Sequence, residues 1–204
     1  MKKVLKVIGV IIAILVVVVV VLGLIASKEY SIERSVTINA PQSSVANYMF
    51  HFKNFPEWSP FQVMDPSIQS NITGEDGTEG AVYSWKGKEA GAGEMKAKFI
   101  TEKELQYDML FKDPFENTAN GYWRTEDAGG GQTKAVWGFK SQNQFPLNGI
   151  MMAIGMEKML AKNFDDGLSR LKTRAEALPK QTVQTTDTIT SITSPADTAK
   201  MAAK

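Results

Sequence analysis

ERSVTINAPQSSVANYMFHFKNFPEWSPF, Glu33 to Phe61, changes its periodicity twice. From Tyr30 the chain alternates, with Ile32, Arg34, Val36 and Ile38 opposed to Glu33, Ser35 and Thr37, a spacing that predicts a strand. Asn39-Ala40-Pro41 ends it. Pro41 suits the first turn of a helix, and Val45, Tyr48, Met49 and Phe52 follow at helical spacing until Asn54 and Pro56 stop the pattern. The segment NFPEWSPF, Asn54 to Phe61, then crowds two prolines and three large aromatics into a stretch suited to neither a regular helix nor a regular strand. Phe55, Trp58 and Phe61 need cover, and the rest of the chain has to supply it.

C-terminal to this stretch the pattern is that of antiparallel strands separated by turn residues. The cluster GEDGTEG (74–80) reads as a turn. Ala81–Gly87 then places Tyr83 and Trp85 on one face, and Gly93–Thr101 places Met95, Ala97 and Phe99 likewise. In ELQYDMLFK, Leu105, Tyr107, Met109 and Phe111 alternate with Gln106, Asp108 and Lys112, as in a sheet with one wet face. Asn117–Glu126 and Thr133–Lys140 flank the glycine-rich DAGGGQ and read as a hairpin, so the order is a meander. Pro146–Leu178 is long enough for a helix of several turns. Leu147, Met151, Ile154, Leu160, Phe164, Leu168 and Leu171 share a broad apolar side that continues through Gly155 and Gly167. Only the sheet is available to bury that side.

Toward the N-terminus, Val7 to Ala26 runs twenty residues without a charged or strongly polar side chain. At about 1.5 Å per residue such a helix spans roughly 30 Å, the thickness of a bilayer's hydrocarbon core. Lys2, Lys3 and Lys6 precede it, whereas Lys28, Glu29, Glu33 and Arg34 follow and cancel. The positive-inside rule therefore places the N-terminus in the cytoplasm and the remaining chain outside. A cleaved signal peptide ending at Ala26 is the rival reading, disfavoured because signal peptides carry only about 7 to 15 apolar residues. The organisation expected is an anchor over 1–28, a folded domain over 29–178 and a threonine-rich disordered tail over 179–204.

Composition excludes several function classes. The chain has no cysteine, so disulfides, thiolate metal sites and cysteine nucleophiles do not arise. Removing residues 1–28 removes four lysines from the 23 basic residues, leaving 19 against 22 acidic ones. That balance argues against nucleic acid as a partner, since a phosphate-binding face shows as a basic excess.

The order of one strand, short helices, about five further antiparallel strands and a long closing helix, an α+β arrangement, resembles the helix-grip fold of the START-related superfamily, also called SRPBCC. This superfamily includes lipid-transfer domains, the birch pollen allergen family and aromatic polyketide cyclases. The wording is similar too. ERSVTINAP, the helix with Val45, and NFPEWSP resemble the family's opening; TKAVWGF resembles its penultimate strand, and MEKMLAKNFDDGLSRLK its closing helix. The resemblance implies a curved antiparallel sheet wrapped around the long C-terminal helix, with an apolar cavity between them. Phe55, Trp58 and Phe61 then line or plug the entrance, or else complete the core. Met151, Met152, Met156 and Met159 form a flexible wall, or else fill the core. With Tyr83, Trp85, Tyr107, Met109 and Trp137, these are the ligand-binding residues that the resemblance implies.

Catalytic signals are sparse. His51, the only histidine, sits at the end of the short helix, where capping is its expected role. Asp65, Asp76 and Glu79 lie in turn-rich segments where acids are usually solvated, and Asp165 and Asp166 are expected on the wet face of the last helix. No catalytic residue, metal site or cofactor is expected. The function implied is membrane-tethered binding of a lipid-like small molecule. The alternatives are a cyclase-type enzyme, in which one acid or tyrosine, for example Tyr107 or Tyr122, moves a proton, and a sensory or scaffolding module whose cavity is filled by its own side chains.

Overall fold

The computed structural model describes residues 2–114 and 116–178. Residues 179–204, the expected tail, lie outside the described residues. Helix α1 (Lys2–Ile25) is followed after three residues by β1 (Glu29–Ile38) and α2 (Gln42–Met49). A 3-10 turn (Phe52–Asn54), α3 (Phe55–Trp58) and α4 (Pro60–Met64) lead into a run of strands: β2 (Gln69–Thr73), β3 (Val82–Lys86), β4 (Ala92–Ile100), β5 (Glu104–Asp113), β6 (Asn117–Gly129) and β7 (Gln132–Gln142). Helices α5 (Leu147–Ala153) and α6 (Met156–Glu176) close the chain.

The strands form one antiparallel sheet in the order β1-β7-β6-β5-β4-β3-β2, so the meander from β2 to β7 is completed by the first strand joining at the far edge. The alternation in β1, β5, β6 and β7 sorts side chains as expected: Ile32, Ile38, Leu105, Tyr107, Trp123, Trp137 and Phe139 are buried on the inner face. α6 crosses that face along β1, with Phe164, Leu168, Leu171 and Ala175 buried beneath it. This is the α+β helix-grip architecture, a seven-stranded sheet gripping a long helix.

Local physics departs from the sequence expectations at several points. NFPEWSPF is not irregular: it forms the two single-turn helices α3 and α4, each with a proline in its first turn, where a missing N–H leaves no hydrogen bond unmade. Ser59, preceding Pro60, takes an extended ψ of 127°, as crowding by the proline ring requires, and so separates them. In β4 a bulge between Ala97 and Phe99 turns Phe99 away from Met95 and Ala97, leaving it 46% exposed. The C-terminal segment is two helices, because Gly155 adopts φ +67° and breaks the turn between α5 and α6. Gly167, by contrast, stays helical and lets α6 approach closely: a Cβ there would stand 2.8 Å from the Trp137 ring and 2.9 Å from Pro60.

Helix α1 is long and apolar enough to cross a membrane, a test of length and composition that a signal sequence also passes. Its last turn is built into the domain. Gly23 packs against α5, Asn148 Nδ2 donates to the carbonyls of Gly23 (2.8 Å) and Ala26 (2.9 Å), and a Cβ on Gly149 would lie 2.8 Å from Gly23 Cα. Small residues here let two backbones touch, as in helix pairs within membranes.

Candidate functional site

The inner face of the sheet has two zones. The first is sealed. Trp58, buried completely, meets Phe55, Trp123 and Trp137 edge to face at 4.9, 5.1 and 5.2 Å between ring centres. Trp137 stacks on Phe164 of α6 at 4.0 Å with 8° between the planes. Phe52, Tyr83 and Tyr107 complete the cluster, and Gly121 makes room for it, since a methyl group there would overlap the Tyr107 ring. Each such aromatic withdraws roughly 150–250 Å² from water, worth about 4–6 kcal/mol as an upper figure.

Two polar atoms stand out in this apolar chamber. The indole N–H groups of Trp58 and Trp123 are buried with no acceptor in hydrogen-bond geometry among the described residues, that of Trp123 turned toward the Tyr107 hydroxyl without closing a bond. Trp137 Nε1 instead donates to the Tyr107 hydroxyl oxygen at 3.1 Å. An unmatched buried donor costs about 1–3 kcal/mol, and two lie here with their rings in contact.

The second zone is half-buried. Phe61 of α4, Trp85 of β3, and Met109 and Phe111 of β5 pack against the sealed cluster but retain exposed surface. Trp85 and Phe111 meet edge to face at 5.9 Å. The strand register locates them: Trp85 opposes Gly93, Gly93 opposes Phe111, Phe111 opposes Asn117, and two residues on Ala119 opposes Ser141, the partner of Tyr30. This rim therefore lies at the end of the sheet where α1 enters.

The candidate residues thus divide. Phe55, Trp58, Tyr83, Tyr107 and Trp137 come together in the sealed zone, and Phe61, Trp85 and Met109 in the rim. Met151 and Met152 belong to α5, where Met152 is exposed, and Met159 is exposed on α6, so neither of these last two faces the aromatic cluster. The break at Gly155 separates the methionines of α5 from those of α6. Sequence reasoning left Trp123 and Phe164 out of the site. Both sit in the aromatic cluster, and the alternation of β6 and the apolar stripe of α6 carry the signal.

The two tyrosines singled out for proton transfer lie in different surroundings. Burial pushes the Tyr107 hydroxyl well above its ordinary value. Tyr122 lies on the opposite face of the sheet, bonded to Glu33, with desolvation and that carboxylate pushing it up to about 12. His51 Nδ1 donates to the Asn47 carbonyl at the end of α2, a capping contact. Asp65 and Asp76, expected to be solvated, are structural acceptors. Asp65 is only 4% exposed and takes hydrogen bonds from the Ser67 hydroxyl and the backbone N–H groups of Ser67, Glu89 and Ala90. Those bonds, led by the Ser67 hydroxyl, hold its carboxyl well below the usual range. Asp76 accepts from the N–H groups of Phe52 and Lys53. Asp165 lies on the wet side of α6, its side chain 45% exposed, and makes a two-pronged pair with Arg34 of β1, at 2.6 and 2.7 Å. Among the described residues no cluster of three or more His, Cys, Asp or Glu side chains is placed to hold a metal ion.

A family model described as polyketide cyclase / dehydrase and lipid transport matches residues 29–176. No curated protein matches the sequence. Among solved structures the chain is similar to the Zhui aromatase/cyclase from Streptomyces sp. R1128, with 17% identity over 72% of this chain and 94% of that one and a TM-score of 0.53. It is also similar to the KanY protein, with 13% identity, 74% and 99% coverage and a TM-score of 0.56. Ara h 8.0201 has 15% identity, 72% and 97% coverage and a TM-score of 0.51. At these identities the likeness is one of fold.

Proposed function

Because the chain belongs to the polyketide cyclase / dehydrase and lipid transport family, we propose that it is a membrane-tethered domain that takes up an apolar or amphipathic small molecule between the sheet and α6. The observation that carries this reading is the half-buried rim of Phe61, Trp85, Met109 and Phe111, which continues the sealed aromatic cluster toward the end of the sheet beside α1. Entry of a ligand displaces rim side chains, and each Å² of apolar area it withdraws from water contributes roughly 25 cal/mol. The unmatched N–H groups of Trp58 and Trp123 favour a guest with a carbonyl, hydroxyl or ether oxygen.

Tethering by an uncleaved α1 is supported by Asn148, whose amide hydrogens are both used on carbonyls of residues 23 and 26. Cleavage after Ala26 strips Asn148 and Gly149 of their partners. In this reading Lys2, Lys3 and Lys6 stay in the cytoplasm and residues 29–178 fold outside it.

Native mass spectrometry of the full chain released from detergent micelles tests the proposal. A bound amphiphile at near one per chain, retained less well by Trp58→Phe, is the expected result. A chain that stays empty after incubation with a membrane lipid extract overturns it and leaves the filled-cavity module as the better reading.

A further inference from the structure

The segment from Ser141 to Met156 contains no charged residue, although it runs over the surface of the domain. Its helix α5 uses one face on α1, through Asn148 and Gly149. Leu147 and Met151 are half-buried, and an apolar group is exposed: Ile150 and Met152 (46% exposed) on α5 and Ile154 (58% exposed) just after it, with Phe145 just before the helix and Met159 in the first turn of α6. A helix that is apolar nearly all round is stable only when something apolar covers it.

The contact with α1 fixes where α5 lies. If Val7–Ala26 spans the hydrocarbon core, Gly23 sits three residues, or about 4.5 Å, inside its boundary. Gly149 of α5 touches Gly23 at backbone distance, so α5 is held at that same depth. Interfacial helices bury their apolar faces about 5–10 Å into the headgroup and acyl boundary, which is the level reached here. Charges resume at Glu157 and Lys158, as α6 turns back along the sheet after Gly155.

We propose that α5 is a second, non-spanning membrane contact, seating Phe145, Ile150, Met152 and Ile154 in the leaflet from which α1 emerges and fixing the domain's orientation on the bilayer. The occupant of this face is lipid, because α5 packs on the last turns of α1, where Leu24 and Ile25 are exposed as well. This inference rests on α1 being a retained anchor, and the test separates the two claims.

The absence of cysteine makes single-cysteine labelling direct. Full-length chains carrying Ile154→Cys, Leu15→Cys or Thr101→Cys are labelled with an environment-sensitive fluorophore and reconstituted in phosphatidylcholine/phosphatidylglycerol vesicles containing nitroxide lipids. Leu15 is mid-span, and Thr101 lies on the β4–β5 turn at the other end of the sheet. Ile154 is expected to show blue-shifted emission quenched most by shallow nitroxides, Leu15 to be quenched most by deep ones, and Thr101 by neither. A quenched Leu15 with an unquenched Ile154 overturns the second contact alone. Blue-shifted but unquenched emission at Ile154 also overturns it, by showing that protein covers α5. An unquenched Leu15 overturns the anchor and the inference with it.

Discussion

Phe164→Ala tests whether α6 is held to the sheet by one aromatic stack. Phe164 is 2% exposed, stacked on Trp137 at 4.0 Å and edge-on to Phe139 at 6.2 Å. Removing a buried phenyl ring costs about 3–5 kcal/mol, and loss of two aromatic contacts places this case toward the upper part of that range. Domains of this kind are stable by only about 5–15 kcal/mol, so a loss of about 4 kcal/mol is roughly a quarter or more of the total. With a urea dependence of about 2 kcal/mol per molar, a loss of about 4 kcal/mol lowers the midpoint by about 2 M. The four tryptophans all lie between Trp58 and Trp137, so intrinsic fluorescence of the full chain in detergent micelles follows unfolding of the domain without interference from α1. Met159→Ala, on the exposed side of the same helix, serves as the control and leaves the midpoint in place. A Phe164→Ala shift below about 0.5 M, about 1 kcal/mol, refutes the claim that this stack closes the core.

Two further outcomes follow from the geometry. Asp65 has a folded-state pKa lowered by its hydrogen bonds, so its contribution is complete above the ordinary aspartate value near 3.9 and is lost as the pH falls below it. Asp65→Asn therefore destabilises the chain at pH 7, and its gap from wild type in urea midpoint narrows below about pH 4; a gap independent of pH contradicts the assignment. Gly121→Ala places a methyl group into the Tyr107 ring, which is sealed in and has no room to swing, and overpacking of this kind costs about 1–3 kcal/mol. An unchanged thermal midpoint for Gly121→Ala shows that the ring yields.

Period-two alternation was legible wherever the strand is regular. Leu105, Tyr107 and Trp137 could be assigned to one face because sheet side chains alternate without exception until a bulge intervenes. Phe99 marks that limit, since a single extra residue at Lys98 reverses the face and leaves no compositional trace. The site was legible only as a set of inward residues. Which of them seal the interior and which form a rim depends on register between strands distant in sequence, and that register joins Tyr30 to Ser141. Asp65 escaped because its donors, Glu89 and Ala90, lie in a loop more than twenty residues away. The division of the closing helix escaped because Gly155 reads as a tolerable interior glycine until its positive φ is seen.

Only Ala26, Ser27 and Lys28 separate α1 from β1. Three residues extend to at most about 10 Å, and Asn148 ties down the first of them, so the domain has almost no leash. On the proposed reading, α1 in a bilayer would hold the domain to a single membrane surface, and any exchange of a bound molecule would be confined to partners within about that distance. With α1 retained, this junction would lack the slack that shuttling between two membranes needs.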